Sequence, residues 1–204
     1  MILDFGLGEN YFSKKSIKNI EKSCCDLEQE IIDFDETKEI ICKEANQITR
    51  KSCDGLCLSK SIIFIEFKSI KKFFEGEYKY KLKNNNEDEI IKSKAKDFNF
   101  EKKIEDSLWL FDYIVKHRKL QLSNNQQNTL KNCNKYYYIV KDTNNPLINI
   151  NITLNLLALN RSIETKELKM DIEINNQLSK ITIINKVELI DCDKLQEILK
   201  KDID

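Results

Sequence analysis

One segment constrains this chain more than any other. Residues 61–69 read Ser-Ile-Ile-Phe-Ile-Glu-Phe-Lys-Ser, with four apolar positions in succession from Ile62 to Ile65. A strand alternates its side chains between two faces, so an unbroken apolar run is buried on both. Such a strand belongs in the middle of a sheet that has a layer over each side. The chain must therefore supply covering elements, and 204 residues suffice for one domain with a real core.

The end of this strand carries charge. Glu66 and Lys68 are two residues apart and point the same way, on the face that also holds Ile62 and Phe64. Burying a charge costs several kcal/mol unless it is paired or bound to a metal. A plain Glu–Lys pair at a strand end meets that requirement, and E-x-K recurs by chance in a Lys-rich sequence. Residues 52–58 read as a second strand, and the short Ser59-Lys60 junction makes an antiparallel hairpin with the first. That hairpin carries Asp54 alongside Glu66. Two adjacent carboxylates repel, and a divalent cation resolves the repulsion; Mg²⁺ prefers such hard oxygen ligands and keeps several waters. The bland reading of Asp54-Gly55 is a turn.

A third carboxylate comes from upstream. Residues 16–48 read mainly as helix, in two pieces broken near Asp33–Asp35. The second piece, Glu36 to Thr49, has Ile40, Ile41, Ala45 and Ile48 at helical spacing. On the helical wheel Glu44 falls between Ile40 and Ile48, inside the apolar stripe, while Glu36 and Glu39 lie off it. A carboxylate there either reaches solvent at the helix end or faces the metal site.

A helix Glu, a strand Asp and an apolar strand ending in E-x-K together resemble the PD-(D/E)xK nuclease superfamily. The motif reads Asp54-Gly55, eleven intervening residues from Asp54 to Glu66, then Glu66-Phe67-Lys68. The resemblance covers about residues 36–69, as the motif core of a single domain spanning 1–204. Cys53 stands where the family name has Pro. The resemblance implies an α/β fold of the restriction-endonuclease-like kind, a mixed central β-sheet flanked by helices. It implies that Asp54 and Glu66 bind Mg²⁺ (or Mn²⁺), that Lys68 is catalytic, and that Glu44 is an accessory ligand. The reaction would be metal-dependent hydrolysis of phosphodiester bonds in DNA, with RNA the second choice, in restriction, defence or repair. The alternative is a catalytically silent subunit of the same fold that binds protein or DNA. An unrelated α/β interaction protein with a chance motif would keep Asp54 and Glu66 far apart.

Charge and composition bear on the partner. Lys plus Arg and Asp plus Glu number 34 each, so no global field draws the chain to nucleic acid. Locally, residues 60–83 hold seven Lys and three Glu. Lys71, Lys72, Lys79, Lys81 and Lys83 interleave with Phe73, Phe74, Tyr78 and Tyr80, which suits a nucleic-acid surface or a solvated edge ribbon. Target choice would then depend on a homodimer or a partner protein. No run of about 18 apolar residues offers a membrane span. The first 15 residues lack an apolar signal core, so a cytoplasmic setting is expected. The seven Cys lack paired C-x-x-C knuckles and a nearby His, so they are expected as reduced, mostly buried thiols. His117 is the single histidine and falls near the end of a helix, where a cation is favoured.

The remaining chain reads as follows. Residues 1–10 form an irregular lead-in, and 78–83 an edge ribbon. Residues 87–96 and 101–117 are helices, the second striped by Ile104, Leu108, Phe111 and Val115. Residues 122–134 are loop, and 136–141 a buried strand. Residues 147–160 fit strand or helix equally. Residues 168–174 and 181–189 suggest a hairpin turned at 175–177, and Asp193 a cap for a last helix to Lys200.

Overall fold

The computed structural model describes residues 13–46, 50–82, 86–117, 123–142 and 163–203. The lead-in at 1–10, Ile48, Lys83 and the ambiguous stretch 147–160 lie outside the described residues. The fold is mixed α/β. Its centre is a six-stranded open sheet in sequential order: β1 (Lys14–Ser16), β2 (Glu30–Asp33), β3 (Gly55–Leu58), β4 (Ile62–Lys68), β5 (Lys135–Lys141) and β6 (Lys186–Asp191). The first four strands pair antiparallel in succession, whereas β4, β5 and β6 run parallel. β4 is central, as its two-sided apolar run requires. Ile62 and Phe64 enter one core, and Ile63, Ile65 and Phe67 enter the other.

The larger core is covered by α1 (Phe34–Glu44), α2 (Ile70–Glu75), α3 (Glu77–Lys81), α4 (Glu87–Asp97), α5 (Phe100–Lys116), α6 (Asn124–Asn132) and α7 (Ile163–Leu178). The smaller core lies under residues 17–27 and the last helix, α8 (Cys192–Ile203). Among the described residues, no helix is long and apolar enough to cross a membrane.

Several expected elements differ. Much of 16–33 is not helix: β1, a 3-10 turn at Ile17–Asn19 and β2 replace it. Ile31 and Ile32 are buried on opposite faces of the sheet, and two adjacent apolar residues carry no period to announce that. The break at 33–35 is the start of α1, where the Asp33 side chain accepts a hydrogen bond from the Glu36 N–H at 3.2 Å. The ribbon expected at 78–83 is instead α3, with Tyr78 packed on Phe73 and Phe74. Residues 124–132 form α6, started by a Ser123/Gln126 capping box. The hairpin expected from 168–189 fails because 168–174 lies inside α7, where Met170, Ile174 and Leu178 recur every four residues. At α8 the capping acceptor is Asp191, whose Oδ1 takes the Lys194 N–H at 2.8 Å; Asp193 lies in the first turn.

Candidate functional site

The β3–β4 hairpin positions the carboxylates. Gly55 pairs with Ile65 and Leu56 with Phe64, and Asp54 follows directly at the end of this pairing, close enough to Glu66 to feel its charge. The Asp54 N–H donates to the Ile65 carbonyl at 2.9 Å, so Asp54 and Gly55 both face Ile65 and the ladder bulges at its end. The segment leading into Asp54 is tied down by α5. Ser107 Oγ accepts the Cys53 N–H at 2.9 Å, and the buried Asp106 carboxylate takes the Lys51 N–H at 3.1 Å and the Arg50 guanidinium at 3.0 Å.

Both carboxylates are buried: Asp54 is 1% exposed and Glu66 0%. Asp54 Oδ2 accepts the Phe67 N–H at 2.7 Å, and Lys22 Nζ meets Oδ1 at 3.1 Å. Lys68 and Lys103 both pair with Glu66 Oε1, and the Tyr137 hydroxyl donates to Oε2 at 3.3 Å. Burial, then the charge of Glu66, push the Asp54 carboxyl up to about 6, against the opposing pull of Lys22 and Lys68. For Lys103 burial works against the charged form, but Glu66 outweighs it and the ammonium is held above its ordinary value. Burial and Glu66 raise the Tyr137 phenol well above its usual range, so it remains a hydrogen-bond donor.

Glu44 does not join this group. It is the last residue of α1 and is exposed, whereas Phe34, Thr37, Ile41 and Cys42 are buried. Around the wheel Glu44 does lie near Thr37 and Ile41, but at 1.5 Å per residue it stands about 10 Å beyond Thr37 along the axis. Position along the helix, not around it, keeps it in solvent. The acid of α1 connected to the site is Asp35, in the first turn: Lys22 bridges Asp35 and Asp54. Lys22 and Lys38 hold the Asp35 carboxyl below its ordinary value, outweighing its burial.

Lys71, Lys72 and Lys79 are exposed on α2 and α3, and Lys81 pairs with Glu77 at 2.7 Å. The aromatics between them are not presented for stacking. Phe73, Phe74 and Tyr78 are core, and Tyr80 alone of that set is 77% exposed. His117 caps the end of α5 and stacks on Tyr113.

Three site neighbours were not singled out from sequence. Tyr137 shares its face of β5 with Ile139, so strand alternation alone would have aimed it inward. Lys103 lies one helical turn before Ser107, on the side of α5 that meets the sheet. Lys22 carried no signal; only the chain path between β1 and β2 brings it to Asp54.

The donor set fits a hard divalent cation. Mg²⁺ is held by one or two carboxylates, with waters and substrate phosphate completing its shell. Asp54 and Glu66, both buried and with Asp54 raised by burial and then by Glu66, could form such a pair, an incoming cation taking the place of an ammonium now at an oxygen. Among the described residues, the only three potential ligands within 4.8 Å of one another are Cys24, Cys25 and Cys192. The chain matches no family model, no curated protein and no solved structure at significance.

Proposed function

We propose that the chain is a metal-dependent nuclease of restriction-endonuclease-like fold that hydrolyses DNA phosphodiester bonds. The observation that carries this reading is the close burial of Asp54 and Glu66 at the end of the β3–β4 hairpin, with Lys68 paired to Glu66. The sequential mixed sheet agrees with the architecture expected from the E-x-K resemblance. In this reading Asp54 and Glu66 hold Mg²⁺ or Mn²⁺, which supplies charge for a phosphate oxygen and lowers the pKa of water. Lys68 moves between Glu66 and the phosphate, where its ammonium offsets charge developing in the transition state. Lys103 stays paired with Glu66 and keeps it aligned while Lys68 is engaged. Tyr137 fixes the second Glu66 oxygen. The exposed Lys71, Lys72 and Lys79, which follow directly on β4, supply phosphate contacts along the bound strand.

Plasmid cleavage in Mg²⁺, Mn²⁺ or EDTA tests this. Wild type should nick or linearise DNA with either metal and not in EDTA. Asp54→Ala and Lys68→Ala should each lose about 100-fold or more in rate. Cleavage that survives both substitutions removes the proposed site. Absence of cleavage by wild type on DNA and RNA alike turns the reading to a silent subunit of this fold.

A further inference from the structure

The sulfur cluster adjoins the carboxylate site without sharing a side chain with it: Cys24 lies against the Lys68 backbone. Cys24 and Cys25 come from the segment between the 3-10 turn and β2, and Cys192 is the first residue of α8, 167 residues after Cys25. Cys25 and Cys192 are joined as a disulfide with Cα atoms 5.5 Å apart. This corrects the expectation that every thiol is reduced. A disulfide needs two sulfurs, yet a third, Cys24 Sγ, lies within 4.8 Å of both. Cys25 is buried, while Cys24 and Cys192 are half-buried, so one side of the cluster is open to an ion and a water. Oxygen atoms also border it. Cys24 Sγ lies 3.6 Å from the Val140 carbonyl and Cys192 Sγ 3.6 Å from the Cys24 carbonyl.

We propose that, once reduced, Cys24, Cys25 and Cys192 form a three-thiolate site for a soft divalent cation of the zinc class. Zn–S bonds of about 2.3 Å in a tetrahedron set sulfurs about 3.8 Å apart. The cluster is already gathered on that scale, so opening the disulfide and a small rotation of each side chain reach it. A dithiol performs the opening: two electrons pass to Cys25 and Cys192, both become thiols, and the dithiol leaves as its cyclic disulfide. Ion binding then releases the thiol protons to the buffer. Thiolates strongly favour zinc over Mg²⁺, whereas carboxylate oxygens accommodate Mg²⁺, so the two sites differ in the ions they suit. The reduced site keeps what the disulfide does. It fastens the segment carrying Lys22, two residues before Cys24, to α8 across the smaller core.

The test titrates Co²⁺ into full-length protein reduced with a dithiol and freed of excess reductant without air. One equivalent should bind with a thiolate-to-cobalt charge-transfer band, and Zn²⁺ should displace it. Cys24→Ser, which leaves the disulfide pair intact, and Cys192→Ser should each lose the band or weaken binding about 10-fold or more; Cys133→Ser should change neither. Zn²⁺ should also shield three of the seven thiols of wild type from a maleimide, identified by peptide mass as 24, 25 and 192. This readout stands even if a variant misfolds. No band in wild type, a band undiminished in Cys24→Ser, or shielding of other thiols overturns the proposal.

Discussion

Asp54 is a carboxylate buried beside a second one, and its proton is therefore linked to folding. Its folded value of about 6 lies above the ordinary 3.8. Between those values the folded chain holds more protons than the unfolded one, so stability from this group falls as pH rises from about 4 to 6 and stays low above. Asp54→Asn keeps an oxygen for the Phe67 N–H and removes the titration. In EDTA, the variant's stability relative to wild type should rise by about 2 kcal/mol between pH 4.5 and 7.5 in urea unfolding. A gap that does not change with pH would show that Asp54 is not perturbed. Glu66, Lys68 and Asp54 were legible in the sequence because strand alternation fixes direction without any tertiary knowledge. Glu44 was misplaced because the wheel reports angle and not depth. Lys22 was illegible because its partner is fixed by a long-range chain path.

The elements that place these residues are packed without room for a side chain at one position. Gly55 pairs with Asp33 at the junction of β2 and β3, and a Cβ there would overlap the Ile31 Cδ1 methyl, which is itself buried. Gly55→Ala should cost roughly 1–3 kcal/mol by overpacking. Ile31→Val removes the obstructing methyl, so the double variant should recover most of that loss beyond the cost of Ile31→Val alone. Strict additivity in thermal or urea unfolding would contradict this account of the glycine. β4, β5 and α5 were readable because each is long and strongly patterned. β2 was not, since four residues define no period, and α6 was not, since a polar helix held by a capping box shows little apolar stripe. Residues 78–83 and 168–174 suggest strand for one reason: apolar residues two apart also fit a helix when one of them faces outward. Tyr80 and Leu82 do so on and just after α3.

At the scale of the molecule, a chain with no net charge has gathered charge locally. Lys22, Lys68 and Lys103 come from three parts of the chain to meet Asp54 and Glu66. The layered sheet followed from the sequence once β4 had to be central, whereas this convergence followed only from the packing of α5 and the 17–27 segment on opposite faces. In the proposed function Asp54 and Glu66 together hold a divalent cation and Glu44 does not. Mn²⁺ binding followed by electron paramagnetic resonance tests it most directly, in wild type, Asp54→Asn, Glu66→Gln and Glu44→Gln. The account predicts one Mn²⁺ lost on either of the first two substitutions and kept in Glu44→Gln. Binding that survives Asp54→Asn and Glu66→Gln, or that disappears with Glu44→Gln, would contradict it.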